Sequence, residues 1–274
     1  MLIQIKDRAL VMISGADAES FLQAQLTNDI TLLKNDIQIS AFCQHQGKII
    51  SLFWLMRFGK GFLLSFPADL TEKVIARLQM FVLMSDVQID NFSTKYSQIG
   101  LINEAVPGAY SINDNLSVLI QSVKDSDKAL SANQDEWKKA CIDFQIPEVL
   151  SITSEMFVPQ MLNLDIDEVG VNFSKGCYPG QEVVARLNYL GEAKRRLFAF
   201  KSNFEMKVGD SLYCSSSKAA KARGERYKGS GIVVNSVKYN SIFYCLASLD
   251  IDLLASNITL NNKHGPMLKI INNE

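Results

Sequence analysis

The segment Lys175-Gly176-Cys177-Tyr178-Pro179-Gly180-Gln181-Glu182-Val183-Val184-Ala185-Arg186 is the one stretch of this chain whose residue choice packing alone does not explain. Gly176 and Gly180 bracket the cysteine and free the backbone for a tight loop. Pro179 fixes its own φ near about −65° and suits the approach to a helix. The spacing predicts a helix starting at Gly180 or Gln181, with Val183, Val184 and Leu187 as apolar contacts. Glu182 and Arg186 fall at i and i+4 with the acid first, the favourable order for an ion pair. Cys177 then lies just ahead of a helix N-terminus and two residues from Lys175. A helix dipole and a nearby cation both favour the thiolate, which is the nucleophilic and metal-binding form of cysteine. The other reading of the same residue is a small buried hydrophobe, the commonest role of a free thiol.

The rest of the composition narrows the chemistry. Five cysteines (Cys43, Cys141, Cys177, Cys214, Cys245) at irregular spacing, with no C-x-x-C pair, argue against a disulfide framework and for a reducing compartment. With only His45 and His264, no four-ligand zinc spacing exists, and no set of four cysteines is arranged for a resident iron–sulfur cluster. The chain of 274 residues has room for two or three domains. Its 47% hydrophobic content marks a globular protein, without any run of the ~20 apolar residues a membrane span needs. The N-terminus lacks the zones of a signal peptide, so a cytoplasmic location of bacterial type is expected. Net charge is −1, but residues 186–231 carry eleven Lys/Arg against four Asp/Glu. This asymmetry suits either an anionic partner or solvated loops.

Working outward from the cysteine segment, residues 9–13 read as a strand, followed by a helix N-capped by Asp17 with Ala18, Phe21, Leu22 and Leu26 on one face. Strands are predicted at 38–43, 49–58 and 62–66, the last two joined through Gly59-Lys60-Gly61. A helix follows over 69–80 with Leu70, Val74, Leu78 and Phe81 in a stripe. Strands near 87–91, 98–102 and 116–120 precede a helix around 135–144. Residues 146–170 read as extended and irregular. Strands at 197–200, 211–214, 231–237, 241–249 and 267–271 suggest a small barrel or sandwich. The fold class is thus α+β, with residues 1–195 as one body and 196–274 as a C-terminal β-domain.

The composite Lys-Gly-Cys-Tyr-x-Gly-Gln-Glu-Val-Val-Ala-Arg resembles the signature of the YgfZ family, relatives of the glycine-cleavage T-protein. Four further segments fit in order: Gln25-Leu26-Thr27-Asn28-Asp29, Gln46-Gly47-Lys48, the run Phe157-Val158-Pro159-Gln160-Met161-Leu162-Asn163-Leu164-Asp165, and Leu190-Gly191-Glu192-Ala193-Lys194-Arg195-Arg196. The resemblance implies a T-protein-like multi-domain fold of two interleaved subdomains and a C-terminal barrel around a central folate opening. It implies tetrahydrofolate or a derivative as cofactor, and a role in iron–sulfur cluster assembly or repair that supports tRNA thio-modification. A cluster would be held transiently, shared with a client protein or assembly factor.

In that frame Cys177 is the working thiol, with Lys175, Glu182 and Arg186 around it, and Gly176 and Gln181 shape the loop beside the folate. Trp137 matches a tryptophan near the folate opening, where an indole can stack on a pteridine. A second folate-associated tryptophan of the relatives corresponds here to Arg8, whose guanidinium can stack or pair with a carboxylate. T-proteins carry acidic residues after the glycine turn, where this chain has Ser51 and Leu52, so folate-dependent aminomethyl transfer stands only as an alternative. Direct nucleic-acid binding is a further alternative. It rests on Lys194-Arg195-Arg196 and on Lys218, Lys221, Arg223, Arg226 and Lys228, a thin set for a phosphate-binding surface.

Overall fold

The computed structural model describes residues 1–125, 133–191, 193–214 and 229–271. The fold is α+β, built among the described residues from two antiparallel sheets, four α-helices and a closed barrel. The larger sheet has the order β3 (Gln38–Cys43), β4 (Ile49–Phe58), β5 (Gly61–Pro67), β2 (Arg8–Ser14), β6 (Gln88–Asn91). Strands β4 and β5 are buried on both faces, so they read as continuous apolar runs rather than alternating ones. One face of this sheet packs against α1 (Ala18–Gln25) and α2 (Thr71–Gln79) through Phe21, Leu22, Leu26, Val74 and Leu78. Its other face shares a core with the second sheet, a third helix and the outer face of the barrel through Leu197, Ala199, Val234 and Leu246, while the barrel interior forms a core of its own.

The second sheet runs β1 (Leu2–Ile5), β7 (Tyr96–Ile102), β9 (Leu116–Ser122), β8 (Tyr110–Ser111). Helix α3 (Gln134–Asp143) lies over it, and α4 (Gln181–Tyr189) follows the cysteine loop. The barrel closes in the order β10 (Arg195–Ser202), β13 (Ile242–Asp250), β12 (Gly231–Tyr239), β11 (Ser211–Tyr213), β14 (Ile258–Leu260), β15 (Met267–Ile270). Closure removes free sheet edges. Among the described residues no helix is long and apolar enough to cross a membrane.

Three departures from the sequence reading have local causes. Asp17 does not cap α1 with its side chain; its carboxylate accepts the Asp86 amide at 2.8 Å, tying the helix start to the approach of β6. Strands β1, β8 and β14, of four, two and three residues, are too short to carry a periodicity and exist through their sheet partners. Residues 146–170, read as irregular, hold three short 3₁₀ turns, Ser151–Thr153, Pro159–Leu162 and Ile166–Glu168. The basic residues Lys218, Lys221, Arg223, Arg226 and Lys228 lie outside the described residues.

Candidate functional site

The cysteine loop is shaped by one glycine more than by the other. Gly180 sits at φ +84° as the N-cap of α4. A Cβ there would lie 2.5 Å from the Gln44 carbonyl oxygen and 2.7 Å from Gly47 Cα. Both obstacles are backbone, so nothing larger fits. Gly176 faces open space and requires no such freedom. The Gln181 amide reaches back to the carbonyls of Lys175 and Gly176, each at 3.4 Å, and closes the loop on itself. Val184 is the buried contact of α4. Glu182 and Arg186 are exposed on its outer side, and none of the ion pairs among the described residues joins them.

Cys177 is exposed, whereas Cys43, Cys141, Cys214 and Cys245 are buried. Burial pushes the thiols of Cys43, Cys141 and Cys245 well above the ordinary cysteine value. Those three are held as neutral thiols in the core. Cys177 is the cysteine that solvent and a partner can reach.

Lys175 points inward. Only 7% exposed, its ammonium donates to the carbonyls of Gln23 (2.6 Å), Leu26 (2.6 Å) and Asn28 (3.0 Å) at the end of α1. Loss of hydration lowers its pKa to about 8, and the nearby Asp29 carboxylate pulls it back up. The expectation was a cation beside the thiol. The charge instead satisfies carbonyls at a helix C-terminus, the end that favours cations. Tyr178 fills the space beneath, its ring 5.5 Å from the Lys175 nitrogen. Its hydroxyl pKa is raised by burial and, secondarily, by Cys43.

The motif segments, dispersed over 170 residues of sequence, converge here. Thr27 donates to the Gly170 carbonyl at 2.6 Å and accepts the Ala41 amide at 2.8 Å. Asn28 donates to the carbonyls of Ile39 (3.0 Å) and Val169 (3.1 Å). The Gly47 turn abuts Val183 of α4. Gln160 donates to the Val184 carbonyl at 2.8 Å, and the Ile49 amide donates to Phe157 at 2.8 Å. Arg196 forks onto Asp165 at 2.5 and 3.0 Å and donates to the Gln160 carbonyl at 3.1 Å. Every matched segment therefore touches the cysteine loop or a residue that holds it.

Trp137 and Arg8 lie elsewhere, at the junction of both sheets and the barrel. Arg8 is 6% exposed; its guanidinium carbon stands 3.5 Å from the Trp54 ring centroid. It donates to Ser65 Oγ (2.8 Å), the Ser65 carbonyl (2.7 Å) and the Glu148 carboxylate. The Ser65 hydroxyl donates to Gln98 Oε1 at 2.5 Å, and Gln98 Nε2 donates to the Arg8 carbonyl at 3.1 Å. Trp54 meets Trp137 edge to face at 6.2 Å. The Trp137 ring covers Gly100, where a Cβ would lie 2.5 Å from the indole. The cavity beside Trp137 measures 70 Å³. A hollow of 680 Å³ lies on the other side of Arg8, walled by Lys6, Asp69, Glu72, Tyr96 and Gln98. Sequence reasoning singled out neither Trp54, Ser65, Gln98 nor Glu148. Each sits in an ordinary strand or loop context, and the scarcity of tryptophan is the one signal that could have pointed to Trp54.

Ser51 and Leu52, the positions of the T-protein acids, are both fully enclosed, and the Ser51 hydroxyl has no partner. The bulge that breaks β3–β4 pairing between Phe42 and Cys43 lies directly opposite.

No family model matches the chain. An uncharacterised protein of Haemophilus influenzae is 31% identical over 77% of this chain and 77% of its own length. The tRNA-modifying protein YgfZ of Colwellia psychrerythraea is 28% identical over 85% of this chain and 80% of its own. That of Pectobacterium carotovorum is 29% identical over 94% and 86%. In structure, the glycine cleavage system aminomethyltransferase T of Bartonella henselae superposes with a TM-score of 0.71 over 99% of this chain and 84% of that one, at 12% identity. With relatives aligned along most of its length, the T-protein fold and the signature segments gathered at Cys177, the chain belongs to the YgfZ family.

Proposed function

We propose that this chain is an accessory protein for iron–sulfur proteins, working through the Cys177 thiol. The observation that carries the reading is the exposure of this sulfur on a loop pinned by distant segments, while the other four thiols are buried. A cysteine thiolate is the usual protein ligand of iron–sulfur clusters, and a cluster takes four. One thiol supplies one ligand, so iron or a cluster is cargo bridged to a client that completes the set. Lys175, by occupying the carbonyls of α1, holds the loop in place, and Gln181 braces it from the helix side. The relatives are named as tRNA-modifying proteins. Here that link is proposed to run through cluster-dependent modifying enzymes in the cytoplasm. The working unit is residues 1–195, with 196–274 as the barrel that braces it through Arg196 and Asp165.

Folate, the cofactor that family resemblance implies, does not fit the junction of Arg8 and Trp137. Ligand pockets measure about 300–1,000 Å³. The cavity beside Trp137 is 70 Å³, below that range, while the 680 Å³ hollow that Arg8 also lines falls within it. The Trp54 face and the Glu148 carboxylate are both taken by Arg8. No step of the proposed function is routed through folate. Aminomethyl transfer also lacks support, because the buried pair Ser51 and Leu52 offers no carboxylate.

The test is to replace Cys177 by alanine and assay client iron–sulfur enzymes in cells that depend on this protein. Loss of client activity at unchanged protein level is expected. Full activity would remove the thiol from the mechanism.

A further inference from the structure

Arg8 is a buried cation with an unusually complete set of partners. Its guanidinium carbon lies over the Trp54 ring, 3.5 Å from the centroid, its side chain is 2% exposed, and it pairs with the Glu148 carboxylate. Ser65 accepts from two of its nitrogens. An aromatic face beneath the group and a carboxylate at its N–H edge make a recognition surface for any flat, guanidine-edged group. Pterins carry such an edge: the ring N3–H and the 2-amino group form a donor pair with the geometry of an arginine fork.

We propose that Arg8 is a built-in occupant of this site. Its guanidinium takes, between Trp54 and Glu148, the place that the guanidine-like edge of a pterin would take. The unsubstituted chain therefore admits no pterin at the junction, and removing the arginine side chain creates a site for one. Glu148 is held ready by the barrel: its amide donates to Asn235 Oδ1 at 2.9 Å and its carbonyl accepts from Asn235 at 3.2 Å. Gln98 and Ser65 keep their mutual bond when the guanidinium leaves. This inference uses residues separate from the Cys177 loop and stands apart from the thiol reading.

The chain has two tryptophans, Trp54 and Trp137, and both are at this junction, so emission excited selectively from tryptophan, beyond the absorption of the eight tyrosines, reports on it. The experiment titrates the full-length protein and Arg8→Gly with pterin and with lumazine, which replaces the 2-amino group by an oxygen. Arg8→Gly is expected to bind pterin about tenfold or more tightly than the unsubstituted protein and than it binds lumazine, the ratio that one charge-assisted pair supplies. Glu148→Gln in the Arg8→Gly background is expected to erase that preference. Equal pterin affinity with and without Arg8 overturns the proposal. So does a folded Arg8→Gly that binds neither ring, or binds both equally. Should Arg8→Gly not fold alone, it is refolded with methylguanidine, pterin or lumazine present. Recovery of the native tryptophan emission with the first two and not the third supports the proposal, and no recovery overturns it.

Discussion

Gly180 and Gly47 meet backbone to backbone: the Cβ that Gly180 lacks would lie 2.7 Å from the Gly47 amide nitrogen and from its Cα. This contact joins the β3–β4 turn to the loop that presents Cys177, across more than 130 residues of chain.

Gly180→Ala is therefore expected to destabilise the protein by about 2–4 kcal/mol. One part is the left-handed φ, of order 1 kcal/mol, and the rest is backbone displacement. Urea denaturation measures it. Gly176→Ala, facing open space, is expected to change stability by less than about 0.5 kcal/mol in the same assay. Similar losses for the two would show that the loop is shaped differently from what is described above.

Lys175 gives a pH signature. Its folded pKa of about 8 lies below the ~10.4 of an unfolded lysine, so between these values the folded chain has released a proton that the unfolded chain still holds. Stability then rises with pH across that window, and the penalty of burying the ammonium is fully present below about 8. The difference in melting temperature between the wild type and Lys175→Met should shift in favour of the wild type from pH 8 to 10.4. A difference that does not change with pH would place the lysine in solvent.

Breaking the fork of Arg196 leaves Asp165, whose side chain is 8% exposed, without its partner. Arg196→Met is expected to cost about 2–3 kcal/mol by urea denaturation, reduced from the fully buried figure because Arg196 is partly solvated. A loss under about 0.5 kcal/mol would mean the barrel is not braced through this pair.

The core of the fold was legible because its signals are local. The β4 run, the Gly59-Lys60 turn between β4 and β5, and the stripe Leu70, Val74, Leu78 each announce themselves within ten residues. Strands such as β8 depend on pairing with β9 and leave no trace in a two-residue segment. The site divided in the same way. Cys177 and the Gly180 helix start follow from residue type and spacing. The direction taken by Lys175 was illegible, because its partners are backbone carbonyls about 150 residues away and a carbonyl has no sequence signature. The i, i+4 order of Glu182 and Arg186 permits a pair that solvent makes unnecessary. Trp137 has the residue type of a ligand platform, but Gly100 lies against its ring and Trp54 meets it edge to face.

The most direct measurement is residue-resolved alkylation of the native protein, followed by mass spectrometry after digestion. Cys177 is predicted to be modified rapidly, with Cys43, Cys141, Cys214 and Cys245 labelled only on unfolding. Protection of Cys177 equal to that of the four core thiols would contradict the presented sulfur on which the proposed function stands.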